Sequence, residues 1–445
     1  MPSDRRLPPG PRGRYFSGNV ADFRQHRLEF FTDCAQQYGD ISCFRFGPRR
    51  CYLLNRPDLI ERVLLTDARH YIKHFGARNY KPVLGNGLVT SEGDFWLRQR
   101  RLAQPAFLRS RLNGYAPTMV EFTKKMLAND WHDGQRVDIH AEMGRLTSAI
   151  AIQTLFGLDN TQDGNAYTET LREVFSLLSG RFGSPWPRWL PTPGNLRLWR
   201  GLRRLRSLVD SFIEQCRSRS TPGDDVLSRF LHARDEDGSY MTDHQLRDEA
   251  MTLYLAGHET TALTLSLTWY ALARLPRVEE KLALEWAAVL GGRSPTVEDL
   301  PRLTYTEHVI TESMRLYPPV YLIGREPIVD TELEGYVLPR GSTVFMSQWV
   351  THRDRRYYDS PLEFRPERWD DGLAKRLPKY AYFPFGAGPR VCIGNVFAMM
   401  EAVLLLATLG QQYHFTLEQE PPVVFQVGIT LLPENGIPAV LKRRR

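Results

Sequence analysis

The most chemically distinctive run is Phe385-Gly386-Ala387-Gly388-Pro389-Arg390-Val391-Cys392-Ile393-Gly394, which presents one cysteine just before a helix expected over Asn395–Leu409. Glycines at 386, 388 and 394 let the backbone fold closely round a sulfur atom. Free N–H groups and the positive end of the helix favour a thiolate over a thiol. A thiolate so placed can hold haem iron. A cysteine met alone is more often a small buried hydrophobe, and it is the glycine-rich setting of Cys392 that reverses this expectation.

Three further constellations precede it. In Ala256-Gly257-His258-Glu259-Thr260-Thr261 a glycine and hydroxyl residues can loosen the ladder of a long helix. His258-Glu259 could open a His-Glu-x-x-His zinc motif, but Ala262 occupies the second ligand position. The plainer alternative is a polar cluster that kinks a core helix. Glu312-Ser313-Met314-Arg315 puts an acid and a base one turn apart on a helix face, and Pro366-Glu367-Arg368-Trp369 follows it. In Trp96-Leu97-Arg98-Gln99-Arg100 one helical turn aligns Trp96 with Arg100.

Taken in this order, the four sites resemble the signature elements of the cytochrome P-450 family. Phe385, Gly388, Arg390, Cys392 and Gly394 match its haem-binding loop. The resemblance implies haem b (iron protoporphyrin IX) with Cys392 as axial iron ligand, and Phe385, Gly386, Gly394 and Ala256 around the cofactor. It implies that Glu259 and Thr260 handle protons beside the distal oxygen, with Glu where many members carry Asp. Haem carries two propionates that need cationic partners; by resemblance these are Trp96, Arg100, Arg390 and Arg325. Glu312, Arg315 and Arg368 correspond to a buried structural triad, Trp369 standing where the family has Phe.

The implied activity is that of a haem-thiolate monooxygenase, inserting one atom of dioxygen into an apolar organic substrate such as a fatty acid, terpene, steroid or small aromatic, by hydroxylation or a related oxidation. By the same resemblance the substrate pocket falls to Phe75–Leu88, Leu253–Ala256, Pro319–Ile323 and Gly428–Leu431. Residues 393–445 hold no flavin or iron–sulfur motif. Electrons are therefore expected ultimately from NAD(P)H through a separate ferredoxin, flavodoxin or reductase. Trp96–Arg111 carries Arg98, Arg100, Arg101, Arg109 and Arg111 without an acid; with Lys375, Arg376 and Lys379 it is expected to form the docking face, its alternative being a plain solvated face. Two rival functions use the same ligand: a haem-thiolate peroxygenase or isomerase, against which the Glu259-Thr260 pair argues, and a non-catalytic haem sensor or ligand carrier.

The elements that must position these residues read as mainly α with a smaller β-region, the P-450 fold with a long central helix over the haem and the cysteine loop beneath it. One domain is expected over 1–445, with a Pro-rich lead-in (1–18) and a basic tail (440–445). Ile41–Leu54 reads as a hairpin and Pro57–Leu65 as a short helix. Helical periodicity covers Thr118–Asn129, Glu142–Phe156, Tyr167–Leu178 and Leu196–Arg217. Leu196–Arg206 has five arginines and a Leu/Trp stripe, expected to face the core although it could brush a membrane. Pro185–Pro193 is a proline-stiffened loop, Val320–Ser347 contains strands, and His352–Pro384 is irregular.

Bulk properties narrow the class. The 445 residues are 42% hydrophobic and 24% charged, as a globular enzyme with a large core would be. Five scattered cysteines without metal-like spacing suit a reducing compartment. The first residues lack an apolar signal region, so a cytoplasmic monomer is expected. Lys442, Arg443, Arg444 and Arg445 supply four units of the net charge of +7, and no nucleic-acid partner is expected. Met251–Leu275 is apolar enough to suggest a membrane span, but His258 and Glu259 near its middle make it a core helix.

Overall fold

The computed structural model describes residues 6–158, 189–219, 223–418 and 422–444, together with 169–171, 173–174 and 177–178. Five of the twelve residues of the expected helix Tyr167–Leu178, the first part of the loop Pro185–Pro193 and the ends of the lead-in and tail lie outside the described residues.

The long helix is Asp243–Leu272, and a reciprocal cap starts it. The Thr242 hydroxyl accepts from the Gln245 N–H at 3.3 Å, and the Gln245 side chain accepts from the Thr242 N–H at 2.9 Å. From Thr261 to Leu272 every residue is buried. A helix that is apolar all round belongs inside a core, and this one packs against Ile139–Phe156, Thr304–Leu316 and Asn395–Gly410. Among the described residues, no helix is long and apolar enough to cross a membrane.

The β-region lies to one side. Five strands run in the spatial order Ile41–Phe46, Arg49–Leu54, Thr343–Met346, Ile323–Pro327 and Tyr71–Lys73. Phe23, Phe30, Phe31, Phe44, Phe46 and Phe345 interlock beneath the sheet and seat the helices Val20–Gln25 and Arg27–Tyr38 on it. A second antiparallel sheet joins Arg136–Asp138, Pro438–Arg443 and Tyr413–Leu417; none of its three strands was expected from the sequence. The expected helix at Pro57–Leu65 is α only to Glu61 and continues as a π turn, Arg62–Thr66. Helix Pro193–Arg217 buries Leu198, Leu202 and Leu205 while Arg197, Arg200, Arg203 and Arg204 point outward, so these leucines of the stripe face the core, whereas Leu196 and Trp199 are exposed.

The irregular stretch is held by one carboxylate. Glu312 accepts from Arg315 Nε and Nη2, each at 2.9 Å, from Arg368 Nε at 2.9 Å and from the Trp369 indole at 3.0 Å. Trp in place of Phe thus adds a bond a phenyl ring cannot make. The remaining Arg315 donors reach the carbonyls of His352, Pro361 and Glu363. Glu312 and Arg315 are both 0% exposed, so removing the carboxylate strands buried positive charge. Glu312→Ala is expected to cost about 3–5 kcal/mol. At the exposed pair Lys281–Glu367, Lys281→Ala is expected to cost under about 1 kcal/mol. Urea unfolding followed by circular dichroism measures both.

Candidate active site

The cysteine loop is a closed turn. The Cys392 N–H donates to the Phe385 carbonyl at 2.9 Å, Gly386 N–H to Phe383 at 3.0 Å and Val391 N–H to Gly388 at 3.1 Å. Gly388 has φ +64°, and a Cβ there would lie 1.9 Å from the Leu64 carbonyl oxygen of the π turn, so only glycine lets the loop sit against that turn. Two arginines pin the loop from outside. Arg100 Nη1 donates to the Val391 carbonyl at 3.0 Å, and Arg390 Nη1 to the Ser91 carbonyl at 2.8 Å. Arg390 also pairs with Glu92, and its guanidinium lies 4.1 Å from the Trp96 ring centroid, a cation–π contact.

Cys392 is deep in the molecule, and its surface exposure arises because it faces a central cavity. Burial pushes its thiol pKa up, while the Gly394 N–H and Arg100 act in the opposite sense. The protein alone thus favours the thiol, and a metal cation at the sulfur would deprotonate it outright.

The cavity, about 320 Å³, has Leu253, Ala256, Gly257 and Thr260 of the long helix on one side and Phe385, Gly386, Cys392 and Gly394 on the other. Its rim is cationic: Lys73, Arg325 and Arg390 all line it. Lys73 and Arg325 are directly opposed across an antiparallel strand pair, an arrangement that like charges disfavour. Glu92 is the acid set against them. Burial first, and then the neighbouring arginines, push Lys73 down to about 7, and burial with Arg390 brings Arg325 to about 10. Three cations facing one carboxylate leave room for further negative charge. A planar dianionic ligand whose metal meets Cys392 fits this donor set, so these residues suit haem.

On the opposite side, the Thr260 hydroxyl donates to the Ala256 carbonyl at 2.7 Å. Glu259 is not part of the cavity lining; its Oε1 accepts from the Thr430 hydroxyl at 2.5 Å. Thr261 lines the cavity, donates to the Gly257 carbonyl at 3.1 Å and meets Glu401, whose carboxyl burial pushes up to about 8.

The structure therefore brings Cys392, Phe385, Gly386, Gly394, Arg390, Arg325, Ala256 and Thr260 to one cavity. Trp96 and Arg100 stand behind the cysteine loop, and Arg100 is turned to a backbone carbonyl beside Cys392. Two expectations need correction. Of the four expected pocket segments, Leu253–Ala256 and Pro319–Ile323 contribute lining residues; Phe75–Leu88 and Gly428–Leu431 do not, and Lys73 and Val89 line it on either side of the first. The Arg-rich face is smaller than expected, because Arg98 and Arg101 pair with Asp235, Arg101 also with Glu236, and Lys379 with Glu61. Arg109, Arg111, Lys375 and Arg376 are exposed without an ion pair among the described residues. Lys73, Glu92 and Glu401 escaped sequence reading because their partners are distant in the chain and no local spacing marks them; Thr430 fell within the expected segment Gly428–Leu431, but its bond to Glu259 was not foreseen.

These features fit a haem-thiolate site. The cytochrome P450 family model matches residues 8–439. The chain is 37% identical to cyclooctatin synthase of Streptomyces melanosporofaciens over 91% of its length and 88% of that protein. It is 35% identical to pentalenene oxygenase of Streptomyces avermitilis, over 91% of the chain and 90% of the relative. A solved structure of retinoic acid bound cyanobacterial CYP120A1 superimposes with a TM-score of 0.89 at 26% identity, covering 99% of this chain and all of that one. The chain belongs to the cytochrome P450 family and is a P450 monooxygenase, a haem enzyme acting on apolar substrates.

A carboxylate clasp links the loop that carries Glu92 to the long helix. Asp248 Oδ2 accepts from the Asn86 N–H at 2.7 Å, and Glu249 Oε2 from the Leu88 N–H at 3.0 Å. Gly85 and Gly87 permit the approach, since a Cβ at either would lie about 2 Å from Asp248 or Thr252 side-chain atoms. Burial pushes Glu249 up to about 8 from 4.5, with Asp248 acting in the same sense and the Leu88 N–H opposing. Docking lifts this carboxyl above its unfolded value, so its support for the loop is complete below pH 4.5 and lost as pH rises through about 8. The protection factor of the Leu88 amide, measured by hydrogen exchange, should fall across that range, and Glu249→Gln should flatten the dependence.

Proposed function

We propose that this P450 inserts one atom of dioxygen into a cyclic terpene hydrocarbon, using electrons passed from NAD(P)H through an acidic ferredoxin or flavodoxin. The observation that carries the reading is the cavity itself: mainly apolar walls such as Leu253, Val320 and Phe385, a cationic rim at one edge, and Cys392 facing Thr260 across it. Cyclooctatin synthase and pentalenene oxygenase, whose names point to terpenoid chemistry, support the substrate class.

Haem, when bound, supplies the reductive activation of dioxygen. This chain's own residues do the rest. Lys73, Arg325 and Arg390 would hold the carboxylates of the porphyrin, and Arg100 with the loop hydrogen bonds fixes the backbone beside Cys392, whose sulfur would hold the iron. Thr260 presents its hydroxyl to the cavity, and Glu259, its neighbour, would carry the proton that passes through that hydroxyl. Leu253, Val320, Ile323 and Met314 exclude water and hold the hydrocarbon by contact alone, so regioselectivity follows cavity shape. Arg109, Arg111, Lys375 and Arg376 attract the electron donor, a contact that weakens with salt.

Turnover under 18O2, with the enzyme reduced by NADPH, ferredoxin reductase and a ferredoxin, tests the reading on a panel of cyclic terpenes. A product two mass units heavier than its 16O counterpart is expected. Oxidation that proceeds with peroxide and never with the reducing system would instead establish a peroxygenase.

A further inference from the structure

Glu259 faces away from the cavity that its neighbour Thr260 lines, and the structure shows what holds it there. The Thr430 hydroxyl donates to Glu259 Oε1 at 2.5 Å. Thr430 is 7% exposed. The Gly428 N–H donates to the Thr430 carbonyl at 3.0 Å, closing the hairpin in which Phe425–Val427 pairs with Leu431–Pro433. The next residue, Leu431, is fully buried among Tyr321 and Phe345, and its N–H donates to the Pro319 carbonyl at 3.2 Å. Pro319 and Val320 are cavity wall. A continuous path therefore runs from the surface a substrate would press, through one backbone bond, to the hydroxyl that holds the acid.

We propose that Thr430 is a positioning residue for Glu259, tying the acid of the Glu259–Thr260 pair to the Pro319–Val320 wall of the substrate cavity. The proposal rests on reading Glu259 as the proton carrier. A hydroxyl has one proton to donate, and at Thr430 it is committed to the carboxylate. A hydrogen bond to a charged acceptor also restricts rotation of the side chain that carries it. Displacing Pro319 or Val320 shifts Leu431 and with it the donor, which is how filling the cavity would be felt at Glu259. Oxygen activation without substrate wastes electrons, and a restraint on Glu259 that responds to the cavity wall limits that loss.

The test compares Thr430→Val, which keeps the shape and deletes the donor, with Thr430→Ser, which restores it, and with Glu259→Gln. Thr430→Ala, read in the same way, replaces the valine variant should that chain not fold. Product formed per dioxygen consumed is expected to fall on the order of tenfold in Thr430→Val, the effect of one hydrogen bond to a charged group, with KM for substrate unchanged and Thr430→Ser close to the parent. Independently of turnover, the infrared carboxylate band assigned to Glu259 by its loss in Glu259→Gln should shift in Thr430→Val and return in Thr430→Ser. If Glu259→Gln lowers coupling while Thr430→Val matches the parent in both measurements, Thr430 has no positioning role and the reading of Glu259 stands. If Glu259→Gln couples like the parent, the proton-carrier reading itself fails, and this proposal with it.

Discussion

A sulfur atom must face a central cavity while the backbone carrying it turns back on itself, and most of the molecule is arranged round that requirement. Between Phe385 and Cys392 the chain closes through the Cys392 N–H and the Phe385 carbonyl, and Gly388 approaches Leu64 more closely than any side chain allows. The loop's own bonds are too few to hold it, so the anchors come from elsewhere. Arg100 reaches Val391 from the helix Gly93–Ala103, and Arg390 reaches Ser91 and Glu92. The segment carrying those two residues is clasped to the long helix by Asp248 and Glu249. A chain of contacts thus runs from the sulfur round to the helix that carries Thr260, fixing the distance between the two sides of the cavity.

Two charged clusters follow opposite rules and so have different purposes. Around Glu312 every strong donor has an acceptor: two arginines and an indole meet one carboxylate, and the remaining guanidinium hydrogens meet carbonyls. Such a network stabilises one arrangement of an irregular stretch and asks for nothing more. At the cavity rim, Lys73 and Arg325 stand opposite each other in a sheet with Arg390 beside them, and Glu92 is the acid that opposes them. Burial already drives Lys73 towards its neutral form. A cluster with too little negative charge is built to receive an anion, and the carboxylates of a porphyrin have the required sign and number.

Much of this was legible in the sequence, because local chemistry reports on local structure. The core of the long helix announced itself through the apolar run Met251–Leu275, whereas its capped start at Thr242 and Gln245 was not foreseen. Cys392 stood out because glycines are needed wherever backbone must bend tightly round a sulfur. What stayed hidden depends on contacts between distant segments. Lys73 is an ordinary lysine in a short strand until the sheet places it across from Arg325. Arg98 and Arg101 look like a free basic face until Asp235 is folded onto them. Glu259 was identified by type and position, but the turn to Thr430 belongs to the packing of a hairpin against the long helix. Residue types marked where chemistry could occur, and tertiary structure decided which way the groups face.

The central claim is that Cys392 binds haem iron as a thiolate, and the ferrous carbon monoxide spectrum tests it most directly. The intact protein, reconstituted with haem and reduced, should show the strongly red-shifted Soret band of thiolate ligation, and Cys392→Ala should lose it while keeping its fold by circular dichroism. An intact protein without that band, or a Cys392→Ala variant that retains it, would contradict the account.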